Sequence, residues 1–89
     1  MTSFMLIRQK VKDFAEWKRA YDAHLPKRVA AGLKEKQLLR GADNPNEVFA
    51  LFEAQDLTRA KAFADSADIK ATMQKAGVID RPDIYFLNG

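Results

Sequence analysis

Residues 47–54, Glu47-Val48-Phe49-Ala50-Leu51-Phe52-Glu53-Ala54, decide how this chain folds. The run is short, rich in β-forming residues and preceded by turn residues, which makes it a strand. Strand side chains alternate, so Val48 and Phe52 point to one face while Phe49 and Leu51 point to the other. A strand with bulk on both sides belongs in a sheet that is covered on both sides.

Working upstream, Asp43-Asn44-Pro45-Asn46 is dense turn chemistry. It makes 47–54 the second arm of a hairpin whose first arm is Leu33 to Arg40. Lys34-Glu35-Lys36 is the most charged strand stretch in the chain, and such charge suits a sheet edge. Before it, Phe14, Trp17, Tyr21 and His24 recur at spacings of three and four, on one helical stripe opposite Lys12, Glu16 and Arg19. Asp13 is the N-cap, and Glu16 completes a capping-box-like pair. Pro26 breaks this helix near Leu25 and sits in the first turn of its continuation, and Gly32 ends it. Phe4 to Val11 is the first strand, apolar on both faces at its start. Downstream, Asp56 caps a helix that turns Leu57, Ala60, Phe63 and Ala64 inward. Ser66 restarts it with Ile69, Met73 and Ala76 as the apolar stripe, and Gly77 stops it. Pro82 precedes a last strand, Asp83 to Leu87, in which Ile84 and Phe86 oppose Tyr85 and Leu87.

The order is β-α-β-β-α-β, which is an α+β, ferredoxin-like sandwich of a four-stranded antiparallel sheet and two helical segments. Crossovers are right-handed in nearly all proteins, so both helical segments cover the same face. The first, third and fourth strands are apolar on the other face as well, and a bare patch of that kind is unusual for a monomer. Packing against a second copy is the simplest cover, because two-fold dimers are the commonest assemblies. The expectation is a single domain over residues 1–89 that forms a homodimer through its sheet faces.

Composition narrows the function. Cysteine is absent, which removes disulfide frameworks, thiolate metal sites and cysteine nucleophiles together. With one short apolar run, Phe4 to Ile7, near the start, neither a secretory signal nor a membrane span is expected, and the chain reads as cytoplasmic. Net charge is +3, but residues 1–40 hold ten Lys/Arg against four Asp/Glu, and residues 41–89 hold five against eight. Such asymmetry can attract an anionic ligand or favour complementary subunits, although a solvated face on an edge strand and first helix explains it better. RNA-binding domains share this topology, yet their central strand carries a Lys/Arg-Gly-Phe-type motif; here Glu47 and Glu53 flank the aromatics, so no nucleic-acid partner is expected.

His24 is the one histidine, and its side chain is the natural proton shuttle near neutrality, although a lone histidine at a helix end more often just bonds a backbone carbonyl or water. Arg28, one turn later, is placed to anchor a carboxylate or enolate. Both are candidate catalytic residues. Trp17 and Tyr21, on the same stripe, are candidate ligand contacts, although aromatics at this spacing also serve simply as core. Arg8 and Arg40 lie towards the far ends of their strands, where a pocket mouth is expected. No metal site is expected, because one histidine and scattered carboxylates give no ligand spacing. No glycine-rich phosphate loop and no serine with an evident base is present either.

Val11-Lys12-Asp13-Phe14 leading to Trp17-Lys18, Tyr21-Asp22-Ala23-His24, Phe63-Ala64-Asp65-Ser66 and Met73-Gln74-Lys75-Ala76-Gly77-Val78 resemble the dimeric α/β-barrel superfamily. More narrowly they are similar to its cyclase-like and antibiotic-biosynthesis-monooxygenase-like bacterial members. The resemblance spans nearly the whole chain. It implies a pocket between helices and sheet and, in characterised relatives, cofactor-free oxidation of polyketide phenols, cyclisation or isomerisation of small acids, or haem degradation. The best-known oxidising pattern has a Trp at the end of the third strand and a His on the second helix. Here those places read Phe52-Glu53-Ala54 and Ala60-Lys61-Ala62-Phe63, so haem degradation loses its support, no cofactor is implied, and His24 is not where that pattern puts its histidine. The implied activity is a cofactor-independent cyclase, isomerase or monooxygenase on a small hydrophobic or cyclic metabolite; the alternative is a non-catalytic ligand-binding or structural homodimer. An enzyme of this kind should show a pocket of about 300 Å³ or more reached by His24.

Overall fold

The computed structural model describes residues 2–89. Its elements run β1 (Ser3–Lys10), α1 (Phe14–Ala23), α2 (Leu25–Ala30), β2 (Leu33–Arg40), β3 (Glu47–Ala54), α3 (Leu57–Asp65), α4 (Ala67–Lys75) and β4 (Asp83–Asn88). The strands form one sheet in the order β2-β3-β1-β4, every neighbouring pair antiparallel. Both helical segments lie on one face. This is the ferredoxin-like arrangement that the element order requires.

The punctuation falls where the chemistry of the residues puts it. Asp13 accepts a hydrogen bond from the Glu16 amide, Asp56 from the Thr58 amide and Ser66 from the Ile69 amide, so three helix starts carry side-chain caps. Pro26 sits in the first turn of α2, and His24 is the joint between α1 and α2. Gly32 and Gly77 take positive φ, 76° and 86°, to leave α2 and α4.

The covered face holds the core. Met5, Ile7 and Gln9 of β1 register against Phe52, Ala50 and Val48 of β3, and all six are buried. Ala60 and Ala64 face them from α3, small enough to let the helix approach the sheet closely. At the other end Trp17 packs with Val11, Val48 and Ala76. Edge strand β2 carries a feature the residue pattern did not announce. Its register shifts between Glu35 and Gln37, so Lys36 is an extra, bulged residue. The bulge resets the alternation: Leu38 and Arg40 join Leu33 and Glu35 on the covered face, while Leu39 is left on the open one.

The open face carries the other half of each alternation. Phe4, Leu6, Phe49, Leu51, Tyr85 and Leu87 form a continuous patch across β3, β1 and β4, extended by Leu39 from β2. Arg8 belongs to this face, not to a pocket mouth as its place near a strand end suggests. It lies in register with Asp83 and gathers three carboxylates, Asp83 at 2.8 Å, Glu47 at 2.9 Å and Asp80 at 3.1 Å. These hydrogen bonds, Asp83 first, raise its already high pKa further. Asp80 also accepts the Lys10 amide at 2.8 Å. Burial opposes its charge, but the Lys10 amide and Arg8 outweigh that and hold its carboxyl below the ordinary value.

Phe52 is the largest fully buried side chain. Phe52→Ala should lower unfolding stability by about 3–5 kcal/mol, read as a shifted urea midpoint. Asp80 should titrate below the usual aspartate value of about 3.9, with its stabilisation complete above that value and lost as pH falls through the folded-state pKa. Carboxyl-carbon NMR should show Arg8→Met moving that midpoint upward; an unmoved midpoint would leave Arg8 with no part in it.

Candidate ligand site

The α1 stripe faces the covered side of the sheet, and just past its C-terminal end His24 reaches Asp68 of α4. Between the sheet and the helices is a cavity of about 50 Å³ lined by Ile7, Gln9 and Phe52 from the sheet, Trp17, Tyr21, His24 and Arg28 from α1 and α2, and Phe63, Ile69, Thr72, Met73 and Ala76 from α3 and α4. Four of the six residues singled out from sequence therefore share one wall. The volume is far below the roughly 300 Å³ expected of a drug-sized pocket. Ile69, Thr72 and Met73 of α4, with Ala76 at its C-cap, line one side of the space and narrow it.

Trp17 and Tyr21 stack with ring centroids 4.7 Å apart and planes 24° from parallel. Helical spacing of four residues puts their rings side by side, as the stripe requires. Trp17 is buried, and Tyr21 reaches outward so that its hydroxyl donates to Glu35 Oε1 at 2.6 Å. Burial and then this bond push the Tyr21 phenol above its usual range, while the charge of Arg28 pulls the other way.

Arg28 is 6% exposed, an unusual burial for a guanidinium. Its group lies 3.8 Å from the Tyr21 ring centroid, and its Nη1 donates to the Tyr21 carbonyl at the end of α1. Among the described residues no carboxylate stands within ion-pair distance of it. His24 is only 11% exposed at its side chain. Its Nε2 lies 3.3 Å from Asp68 Oδ2, on the first turn of α4. With Nε2 as donor, Nδ1 is the ring nitrogen left to accept a proton. Gln9 is 4% exposed, and its Oε1 has no hydrogen-bond partner among the described residues.

Arg40 lies on the covered face but outside the cavity: its guanidinium covers the Phe14 ring at 3.9 Å and Nε donates to the Pro45 carbonyl. Reading by strand position grouped it with Arg8 because both lie near strand ends; the β2 bulge and the alternation of β1 put them on opposite faces. Gln9 and Asp68 were missed. Gln9 had a visible signal, an amide in phase with buried Met5 and Ile7 on β1. Asp68 had none, since its meeting with His24 spans 44 positions of chain. No group of three or more His, Asp or Glu side chains close enough to hold a metal ion occurs among the described residues. No helix there is long and apolar enough to cross a membrane.

Fold and site together define a small helix-over-sheet domain with its cavity between the layers. No family model matches the chain, and no curated protein matches it. Solved structures do. It is similar to a candidate antibiotic biosynthesis monooxygenase from Bordetella bronchiseptica, with a TM-score of 0.79 and 14% identity over 100% of this chain and 98% of that one. A similar candidate from Caulobacter crescentus gives 0.74 and 18% over 99% and 89%. SnoaB, a cofactor-independent oxygenase from Streptomyces nogalater, gives 0.75 and 12% over 99% and 92%. The structural neighbours are thus ferredoxin-fold proteins of the antibiotic-biosynthesis-monooxygenase kind, and at these identities the likeness establishes the fold.

In a Tyr85→Phe background, Tyr21 should stay protonated past the ordinary phenol value of about 10, with Glu35→Gln lowering its midpoint, followed by phenolate absorbance. Because the folded-state pKa is raised, the linked stability is complete below about pH 10 and declines as pH rises towards that midpoint.

Proposed function

We propose that this chain is a cofactor-independent enzyme of the cyclase, isomerase or monooxygenase kind, working as a homodimer on a small metabolite held between helices and sheet. The observation that carries this reading is the convergence of Trp17, Tyr21, His24 and Arg28 on one cavity with Gln9, whose Oε1 has no partner among the described residues. In it His24 takes a proton from the ligand and returns it at another atom, which is all that isomerisation or cyclisation needs. Asp68 is the positioning residue, holding the ring by its other nitrogen. Arg28 stabilises the negative charge that the ligand acquires, in a site already poor in water. Oxygenation would take molecular oxygen as co-substrate on the same deprotonated ligand, a CH2 carbon becoming a carbonyl with one oxygen atom while the other leaves as water, the ligand itself supplying the electrons. A cyclic substrate requires α4 to withdraw, since a cavity of about 50 Å³ has no room for a ring system.

The proposed dimer is supported by the open sheet face. Leu39, Tyr85 and Leu87 are 53%, 50% and 42% exposed there, beside half-buried Phe4, Leu6, Phe49 and Leu51. A second copy laid on this patch would bury it on both chains at once. The size of the cavity favours the second reading, a ligand-binding dimer without catalysis, in which His24 and Asp68 simply pin α4 to the α1–α2 joint.

Phenols and lactones should be screened by thermal shift, and each binder tested for uptake of solvent deuterium. The enzyme reading expects exchange that falls at least roughly 100-fold in His24→Ala with binding retained, and a smaller fall in exchange rate at unchanged affinity in Asp68→Asn. Exchange unchanged in His24→Ala would remove His24 as the base, and binding without exchange leaves the non-catalytic reading. Leu51→Glu should give a folded chain of half the native mass by light scattering.

A further inference from the structure

The cavity presents two buried polar groups whose needs differ and which the protein itself does not meet. Arg28 carries a full positive charge at 6% exposure with no carboxylate partner among the described residues, and the Tyr21 carbonyl is its one hydrogen-bond acceptor there. A buried charge left in that condition is unfavourable unless an anion accompanies it. Gln9 is 4% exposed and its Oε1 is the one buried side-chain oxygen or nitrogen without a partner among the described residues. An orphaned amide oxygen of this kind costs more than an apolar side chain of the same shape would. Both groups line the same small space beside Trp17 and Tyr21, and Arg28 also borders an open cleft of about 280 Å³ with Asp22 and Glu35.

Size and chemistry together select the occupant. One water-sized group takes roughly 10–15 Å³, so about 50 Å³ admits about three to five non-hydrogen atoms. The lone cation calls for a single negative charge, and a carboxylate matches the guanidinium fork. Gln9 calls for a hydroxyl, which donates to the amide oxygen or accepts from the amide nitrogen whichever way the group is turned. We propose that the cavity binds a short 2-hydroxy carboxylate, glycolate being the smallest, with its carboxylate on Arg28 and its hydroxyl on Gln9. The proposal rests on reading this cavity as the ligand site and adds the substrate class.

The test is an NMR titration of the native protein with glycolate, acetate, glycolamide and phenol in turn. Glycolate should shift the signals of Gln9, Trp17 and Arg28 saturably. It should bind roughly fivefold or more tightly than acetate, the effect of one added hydrogen bond, and more tightly than uncharged glycolamide. Gln9→Met should be at least as heat-stable as the native chain without ligand, and should bind glycolate and acetate alike. Equal native affinities for the two acids, tighter binding of glycolamide, or a marked loss of stability in Gln9→Met would overturn the assignment. Phenol shifting the cavity signals where glycolate does not would remove the hydroxy acid and leave the site reading standing. No ligand shifting them would remove both.

Discussion

A four-stranded sheet with all its helices on one side leaves every second side chain of each strand to find other cover. The strand period of two residues makes this unavoidable. In this protein the covered register is Met5, Ile7 and Gln9 against Phe52, Ala50 and Val48, and the uncovered register is Leu6 and Phe4 beside Leu51, Tyr85 and Leu87. Neither set is polar enough to stay in water. The helical segments α1 to α4 cover the first set, and the second set is the patch on which the proposed second copy would lie.

The same alternation decides what the site is made of. Gln9 shares a strand with Met5 and Ile7, and whatever occupies that position must lie under the helices. An amide there is unfavourable for folding, as is a guanidinium beneath Tyr21. Natural proteins keep such groups at functional positions more often than in bare core, where an apolar residue would serve better. Arg28 has a structural task too, because its bond to the Tyr21 carbonyl joins α2 to the end of α1 across the break at His24. The joint, the aromatic stack and the cavity wall are therefore one assembly.

Much of this was legible in the residues. Turn and cap chemistry at Asp13, Pro26, Gly32, Asp56, Ser66 and Gly77 marks the helix ends, and the two-faced character of 47–54 marks a central strand. The stripe Trp17, Tyr21, His24 followed by Arg28 reads as one wall because helical spacing is local. What was not legible depends on distant partners. The Lys36 bulge arises from the pairing of β2 with β3 and redirects Arg40, and Arg8 is claimed by Asp80 and Asp83 from the far end of the chain. That side chains of α4 narrow the cavity depends on packing between segments far apart in the chain, which no local pattern encodes.

The central claim is that the open sheet face does not meet water in the working protein. Sedimentation velocity of the native chain, followed from micromolar concentration downward, tests it most directly. The account predicts a two-chain species that gives way to the monomer only on dilution. A single-chain species throughout, with Leu51 and Tyr85 accessible to a soluble paramagnetic probe, would contradict it.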